Sequence, residues 1–176
     1  MKKEKQTILE HLDFKFSVNE HIANGNLRSH PRLEKFINMA KSMSVISDFN
    51  KFKIGAVLVI KGKVVAKGFN SQKGHPLQRK YNEARKDMGE NSHHPIHAEI
   101  DVLKKLKNVD LKNAELYIYN VNRNGSQRMA RPCPACMDAI KQHGIGTIHY
   151  STPDGFATEY LDPNQKIMVH KAKRLI

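Results

Sequence analysis

The sequence predicts an α/β protein with three layers, in which helices cover both faces of one mixed central sheet. Two apolar runs, residues 53–60 and 64–69, are separated by the turn Lys61-Gly62-Lys63 and therefore predict an antiparallel hairpin. Beyond residue 115, strand patterns alternate with a helix pattern, and strand-helix-strand units pair their strands in parallel. We therefore expect an antiparallel first hairpin followed by parallel later strands.

The helices and strands follow from the spacing of apolar residues. Residues 32–46 predict an amphipathic helix after Pro31, and the first hairpin strand is apolar enough to be buried on both faces. A second helix is expected to begin at Pro95, and a third at Pro132, closed by Gly144. Further strands are expected at 115–120 and 145–150, and the tail at 166–170 could form a last one.

Residues 71–94, between the second strand and the second helix, combine glycines, a proline, charges and three histidines with little periodicity. This pattern predicts a long loop or insertion, and loops of that length in a compact domain are often functional.

The length of 176 residues and the hydrophobic content of 39% suit one core, so we expect one domain at 31–176 preceded by an N-terminal extension, residues 1–30, of unassigned function. No apolar run approaches the roughly 20 residues of a membrane span, and the N-terminus lacks a secretory signal. The sequence therefore predicts a cytoplasmic protein without membrane association.

The formal charge of +13 favours an anionic partner, either a small nucleotide or a nucleic acid. Aromatic residues make up only 7% of the chain and include no Trp, which disfavours the stacking platform of a single-strand binder. Arg123, Arg128 and Arg131, before the cysteine helix, are either solvated charges or contacts to a phosphate.

Two short segments carry the chemistry: His97-Ala98-Glu99 and Pro132-Cys133-Pro134-Ala135-Cys136. His97, Cys133 and Cys136 provide three zinc ligands, and a catalytic zinc site has three protein ligands and an open fourth position. Glu99 is then free to move protons next to that position.

Two other interpretations of the cysteines remain. A C-x-x-C pair can be a redox dithiol, although that motif usually follows an early strand. A closed structural zinc site would need a fourth protein ligand, which His93 or His94 could supply.

The sequence resembles the zinc-dependent cytidine deaminase superfamily, in the branch whose first ligand is histidine. The resemblance is carried by the two motifs, H-x-E followed by P-C-x-x-C, and by the order of helices and strands over residues 32–152. The resemblance implies the cytidine deaminase-like fold and a Zn²⁺ cofactor. It also implies hydrolytic deamination, dCMP to dUMP, by metal-activated water with Glu99 as proton shuttle. Asn70 and the backbone of Ala98 would contact the substrate, and the chain would form a homo-oligomer.

Two alternatives to a dCMP deaminase are a deaminase of tRNA or single-stranded DNA, favoured by the basic charge, and an inactive binding protein that keeps the fold. Retention of all three ligands and of Glu99 argues against the inactive protein.

Overall fold

The computed structural model describes residues 31–84, 94–111 and 113–161, and the backbone of 168–171. The predicted N-terminal extension, residues 1–30, lies outside the described residues, as does His93. In chain order the elements are α1 (Pro31–Ser44), β1 (Phe52–Ile60), β2 (Lys63–Phe69), β3 (Ser71–Gly74), α2 (Pro76–Glu83), β4 (Pro95–Ile96), α3 (Ala98–Leu103), β5 (Ala114–Asn122), β6 (Gln127–Arg128), α4 (Pro134–Gln142), β7 (Thr147–Thr152), β8 (Gly155–Tyr160) and β9 (Met168–Lys171).

The main sheet has the strand order β2-β1-β5-β7-β8-β9, with β6 paired to β5. The antiparallel first hairpin is confirmed, and β5 pairs in parallel with β7, as the sequence predicts. The expectation of parallel pairing fails beyond β7, because β8 and β9 each pair antiparallel with the preceding strand. Strand β8, which follows a tight turn after Thr152, was not predicted from the sequence.

Helices cover both faces of the sheet and confirm the three layers. One core lies between α1 and the sheet and contains Leu33, Phe36, Ile37, Ala40, Val57, Val59, Tyr117 and Tyr119. The other lies under α3 and α4 and includes Leu58, Ile100, Leu116, Ile118 and Ile140. Alternate residues of β1 and β5 enter opposite cores, which confirms that β1 is buried on both faces.

The segment predicted as a long loop, residues 71–94, contains a strand and a helix, β3 and α2. His75 caps α2 by accepting a hydrogen bond from the backbone N–H of Leu77, and Pro76 occupies the first turn. The helix escaped prediction because two of the three residues it buries are polar, Gln78 and Asn82 beside Tyr81, so it has no apolar stripe.

The two helices that carry the motifs begin later than predicted. Pro95 lies in the short strand β4, which pairs with β3, and α3 begins at Ala98 with His97 as its N-cap. Likewise α4 begins at Pro134, not Pro132, and Cys133 is its N-cap. None of the helices within the described residues is both long and apolar enough to cross a membrane.

Candidate metal and catalytic site

The three predicted ligands come together although the cysteines lie far from His97 in the sequence. Nδ1 of His97 is 3.6 Å from Sγ of Cys133 and 3.3 Å from Sγ of Cys136. The three donor atoms all lie within 4.8 Å of one another. Among the described residues, no other group of three or more His, Cys, Asp or Glu side chains has this geometry.

Two short connections between strands and helices bring the ligands to this point. His97 follows β4, so the pairing of β4 with β3 fixes its backbone. Cys133 ends the connection from β6 to α4, and the backbone N–H of Ala130 donates to the carbonyl of Ser151 at 2.8 Å, which ties this connection to β7. His97 and Cys133 are thus helix N-caps, with backbones held by neighbouring strands.

The donor set fits zinc. Typical Zn–N and Zn–S bonds of about 2.1 and 2.3 Å, at a tetrahedral angle, place nitrogen and sulfur about 3.6 Å apart. The two observed N···S separations, 3.6 and 3.3 Å, are close to that value. The residues present can therefore hold Zn²⁺ with three protein donors.

The pKa values of the thiols show how closely these groups interact. Hydrogen bonds from Cys136 and then His97 lower the pKa of Cys133 to about 4, against the opposing effect of burial. The hydrogen bond with Cys133, together with burial, raises the pKa of Cys136 well above its usual range. Burial lowers the pKa of His97, but the contacts with Cys133 and Glu99 outweigh it, so the net shift is upward. One thiolate next to an imidazole is a starting point for metal binding.

Glu99 is buried beside the three donors. Only 4% of the residue is exposed, and its Oε2 has no hydrogen-bond partner among the described residues. The one other buried side-chain oxygen or nitrogen without a hydrogen-bond partner among those residues is Oδ1 of Asn120. Burial raises the pKa of Glu99, and the nearby His97 partly opposes the shift. A buried carboxylate oxygen without a partner requires an explanation, and a bound water or substrate would provide one.

Asn70 and Ala98, the two expected substrate contacts, both lie at the ends of elements near the site. Oδ1 of Asn70 accepts hydrogen bonds from the Ser47 hydroxyl and the Ile54 backbone, and its Nδ2 donates to the carbonyl of Phe52. These bonds hold the start of β1, and they use one of the two amide hydrogens. Ala98 is the first residue of α3, where backbone N–H groups have no partner within the helix.

Other predicted candidates have partners elsewhere in the protein. Arg131 forms a two-pronged ion pair with Glu159, at 2.5 and 3.0 Å, and Nε of Arg123 donates to the backbone carbonyl of Asn50. His94, a suggested fourth ligand, interacts through Nδ1 with the amide of Asn82 at 3.0 Å. The metal group among the described residues therefore contains three residues, as an open site requires.

Gln78 is a residue near the metal ligands that the sequence did not predict. It is fully buried on α2, and its Oε1 accepts a hydrogen bond from the backbone N–H of His97 at 3.0 Å. The start of α2 could have been recognised from His75-Pro76, a polar capping residue followed by proline. No local signal in the sequence shows that Gln78 faces the metal ligands.

Comparisons with known proteins agree with this geometry. Residues 31–152 match the family model described as the cytidine and deoxycytidylate deaminase zinc-binding region. No curated protein matches the sequence.

Several solved structures resemble the chain. A dCMP deaminase from the cyanophage S-TIM5 has 25% identity and a TM-score of 0.48, with 69% of this chain and 83% of that chain covered. The cytidine deaminase from Burkholderia pseudomallei has 19% identity and a TM-score of 0.50, with 76% and 98% covered. That from Mycobacterium leprae has 19% identity and a TM-score of 0.45, with 71% and 91% covered.

The family match covers more than half of the chain and spans both motifs, and the Burkholderia structure shares the fold. With His97, Cys133 and Cys136 gathered as zinc donors, the chain belongs to the family of zinc-dependent cytidine and deoxycytidylate deaminases.

Proposed function

We propose that the protein deaminates a free cytosine nucleotide, dCMP to dUMP, with Glu99 as the group that moves protons. The observation that carries this proposal is the buried carboxylate of Glu99, which lies beside three zinc donors and has an oxygen without a hydrogen-bond partner in the part of the chain that the structure describes. Zinc held by His97, Cys133 and Cys136 would supply a Lewis acid that lowers the pKa of water.

Glu99 is suited to move a proton twice in one turnover. Deamination consumes one water and releases one ammonia, so a proton leaves the water and one reaches the departing amino group. Oε2 of Glu99 can take the first proton of the water and pass it to the ring nitrogen. It can then take the second proton from the new hydroxyl on the attacked carbon and deliver it to the amino group, which leaves as ammonia. The raised pKa of the buried carboxyl supports this role, because a stronger base accepts a proton more readily.

The substrate contacts are proposed for Asn70 and Ala98. Among the described residues, only one amide hydrogen of Asn70 is used, so the second is available to a sugar or base oxygen, while the other bonds hold the side chain in one orientation. The backbone N–H of Ala98, at the start of α3, would meet the base.

The insertion at 71–94 supports a free nucleotide as the substrate. Its helix α2 contacts the metal-ligand segment, because Gln78 accepts a hydrogen bond from the backbone of His97. Insertions at this place in the chain are found in the deoxycytidylate branch that the sequence resembles, which favours a free nucleotide over a polynucleotide.

A second candidate is deamination of tRNA or single-stranded DNA, which the net charge of +13 favours. Such an enzyme holds an unpaired base, commonly between aromatic side chains. In this protein Tyr81, Tyr117, Tyr119 and Tyr150 are buried in the core, so they are not available to stack on bases.

The deciding experiment measures ammonia release from dCMP, cytidine, deoxycytidine, guanine, single-stranded DNA and tRNA, with Glu99→Gln as the matched inactive control. We expect dCMP to be the preferred substrate and the control to be silent on all six. Activity on the polymers alone, falling steeply with salt, would overturn the free-nucleotide proposal. Activity in neither protein would favour the inactive binding protein.

Three further expectations stay predictions: a single domain at 31–176, a cytoplasmic location and a homo-oligomer. Light scattering of the full chain tests the last of these. A monomer at all accessible concentrations would contradict it.

A further inference from the structure

We propose that Gln78, on the inserted helix α2, is a positioning residue that holds both halves of the metal-ligand set in place. It is joined to the His97 segment on one side and to Cys136 on the other. The inference rests on the zinc-dependent chemistry proposed above, and it assigns the insertion a role in building the metal centre.

The contacts of Gln78 are all made inside the protein. Its side chain is completely buried, although glutamine is a polar residue that is seldom found so deep. Oε1 accepts from the backbone N–H of His97 at 3.0 Å, and Nε2 donates to Oδ1 of Asn82 at 2.9 Å. Cys133 and burial raise the pKa of Cys136, and hydrogen bonding from the Gln78 side chain partly opposes that rise.

The orientation of the amide is determined by its partners. A backbone N–H can only donate, so the oxygen of Gln78 must face His97 and the nitrogen must face Asn82 and Cys136. The amide of Asn82 is oriented in turn, because its oxygen accepts from Gln78 and its nitrogen therefore faces Nδ1 of His94, at 3.0 Å. A chain of hydrogen bonds thus runs from His94 through Asn82 and Gln78 to the metal ligands.

This arrangement has two consequences for the donors. The bond to the His97 backbone fixes the position from which the imidazole projects, at the residue before α3 begins. The bond to Cys136 places an N–H donor against a ligand sulfur, and groups of this kind around a metal site typically change metal affinity 10–100-fold.

The test compares two variants of similar length, Gln78→Met and Gln78→Glu, with Arg79→Ala as the control. Gln78→Met removes every hydrogen bond of the side chain. Gln78→Glu keeps an acceptor for His97 but removes both N–H donors and brings a negative charge near the Cys136 sulfur. Arg79 lies on the same helix with its side chain 68% exposed, so its replacement perturbs α2 without touching the site.

Zinc affinity is measured by competition with a chelator, and the geometry of the donors by the visible spectrum of the cobalt-substituted protein. We expect both Gln78 variants to bind zinc about 10–100-fold more weakly and to show altered cobalt bands, with Arg79→Ala unchanged. Wild-type zinc affinity and cobalt spectrum in either folded Gln78 variant would overturn the inference.

If Gln78→Met does not fold, the nearly isosteric Gln78→Glu decides the question. If neither folds even with excess zinc, Gln78 supports the core in general and the inference is wrong. Zinc affinity and the cobalt spectrum are both measured without substrate. If the protein failed to deaminate cytosine nucleotides, the proposed function would be refuted, but the test of the role of Gln78 in the metal site would remain valid.

Discussion

Replacing Gly68 by alanine tests how tightly β2 is packed against the helix that carries Glu99. A Cβ atom at this position would lie 2.6 Å from the carbonyl oxygen of Ala98 and 2.8 Å from the backbone nitrogen of Val102. Both are backbone atoms of α3, so the helix cannot avoid the methyl group by a change of side-chain rotamer. To reach an ordinary contact of 3.4 Å, β2 and α3 must separate by about 0.8 Å.

The expected effects on stability and on turnover follow from that displacement. Overpacking of this kind destabilises a protein by about 1–3 kcal/mol, and each kcal/mol lowers the Tm of a chain of this size by about 2–4 °C. A catalytic group misplaced by about 1 Å can reduce turnover about 100-fold. We therefore expect Gly68→Ala to be folded but less stable, with kcat reduced about 10–100-fold.

The matched control is Gly146→Ala, since a Cβ atom there has nothing within 4 Å. Urea denaturation measures the free energy of unfolding of the wild type and both variants, and ammonia release from dCMP measures turnover. If Gly68→Ala matched Gly146→Ala in both stability and turnover, the close approach of β2 to α3 would be incorrect.

Three further predictions concern ion pairs and the metal. Arg131→Ala removes the charged partner of Glu159, whose side chain is only 5% exposed, and should lower the free energy of unfolding by about 1–3 kcal/mol in urea denaturation. This is less than the loss expected for a fully buried ion pair, because the Arg131 side chain is 39% exposed. A loss under about 0.5 kcal/mol would contradict this prediction. Burial raises the pKa of Asp101, but hydrogen bonds from the two lysines of the following turn outweigh it, so the folded-state pKa is lowered. The charge of Asp101 therefore stabilises the fold at pH values above the unfolded-state pKa of about 4, and this stabilisation is lost as the pH falls through the folded-state pKa. The difference in free energy of unfolding between the wild type and Asp101→Asn should therefore shrink in acid. A difference that does not change with pH would refute the lowered pKa of Asp101. Removal of zinc by a chelator should lower the Tm, and re-addition should restore it, because metal that binds the native state stabilises it; an unchanged Tm after verified zinc loss would count against a metal bound at this site.

The site was easier to predict than the fold around it because its chemistry is local in the sequence. Cys133 and Cys136 are three residues apart, and Glu99 is two residues from His97, so donor type and spacing alone indicated the zinc centre. The structure places the three donor atoms of His97, Cys133 and Cys136 within 4.8 Å of one another. The helix that carries Glu99 begins later than predicted, because Pro95 lies in β4. This strand pairs with β3, which belongs to the segment predicted as a loop.

Buried polar residues explain what the sequence could not predict. Helix α2 buries Gln78 and Asn82, and β8 buries Thr158 and Glu159, so neither shows the apolar period by which helices and strands are recognised. Their partners lie far away in the sequence: Gln78 bonds to His97, and Glu159 to Arg131. Only the turn after Thr152, which contains proline, aspartate and glycine, offered a local sign of the β7–β8 hairpin.

The most direct test of the proposed mechanism measures zinc content and ammonia release side by side in the wild type and in Glu99→Gln. Both proteins should contain about one zinc per chain, since the three ligands are unchanged. The wild type should deaminate dCMP, and the variant should be slower by about 100-fold or more. Wild-type turnover in Glu99→Gln, or turnover by wild-type protein shown to be free of zinc, would contradict the roles of Glu99 and of the three donors.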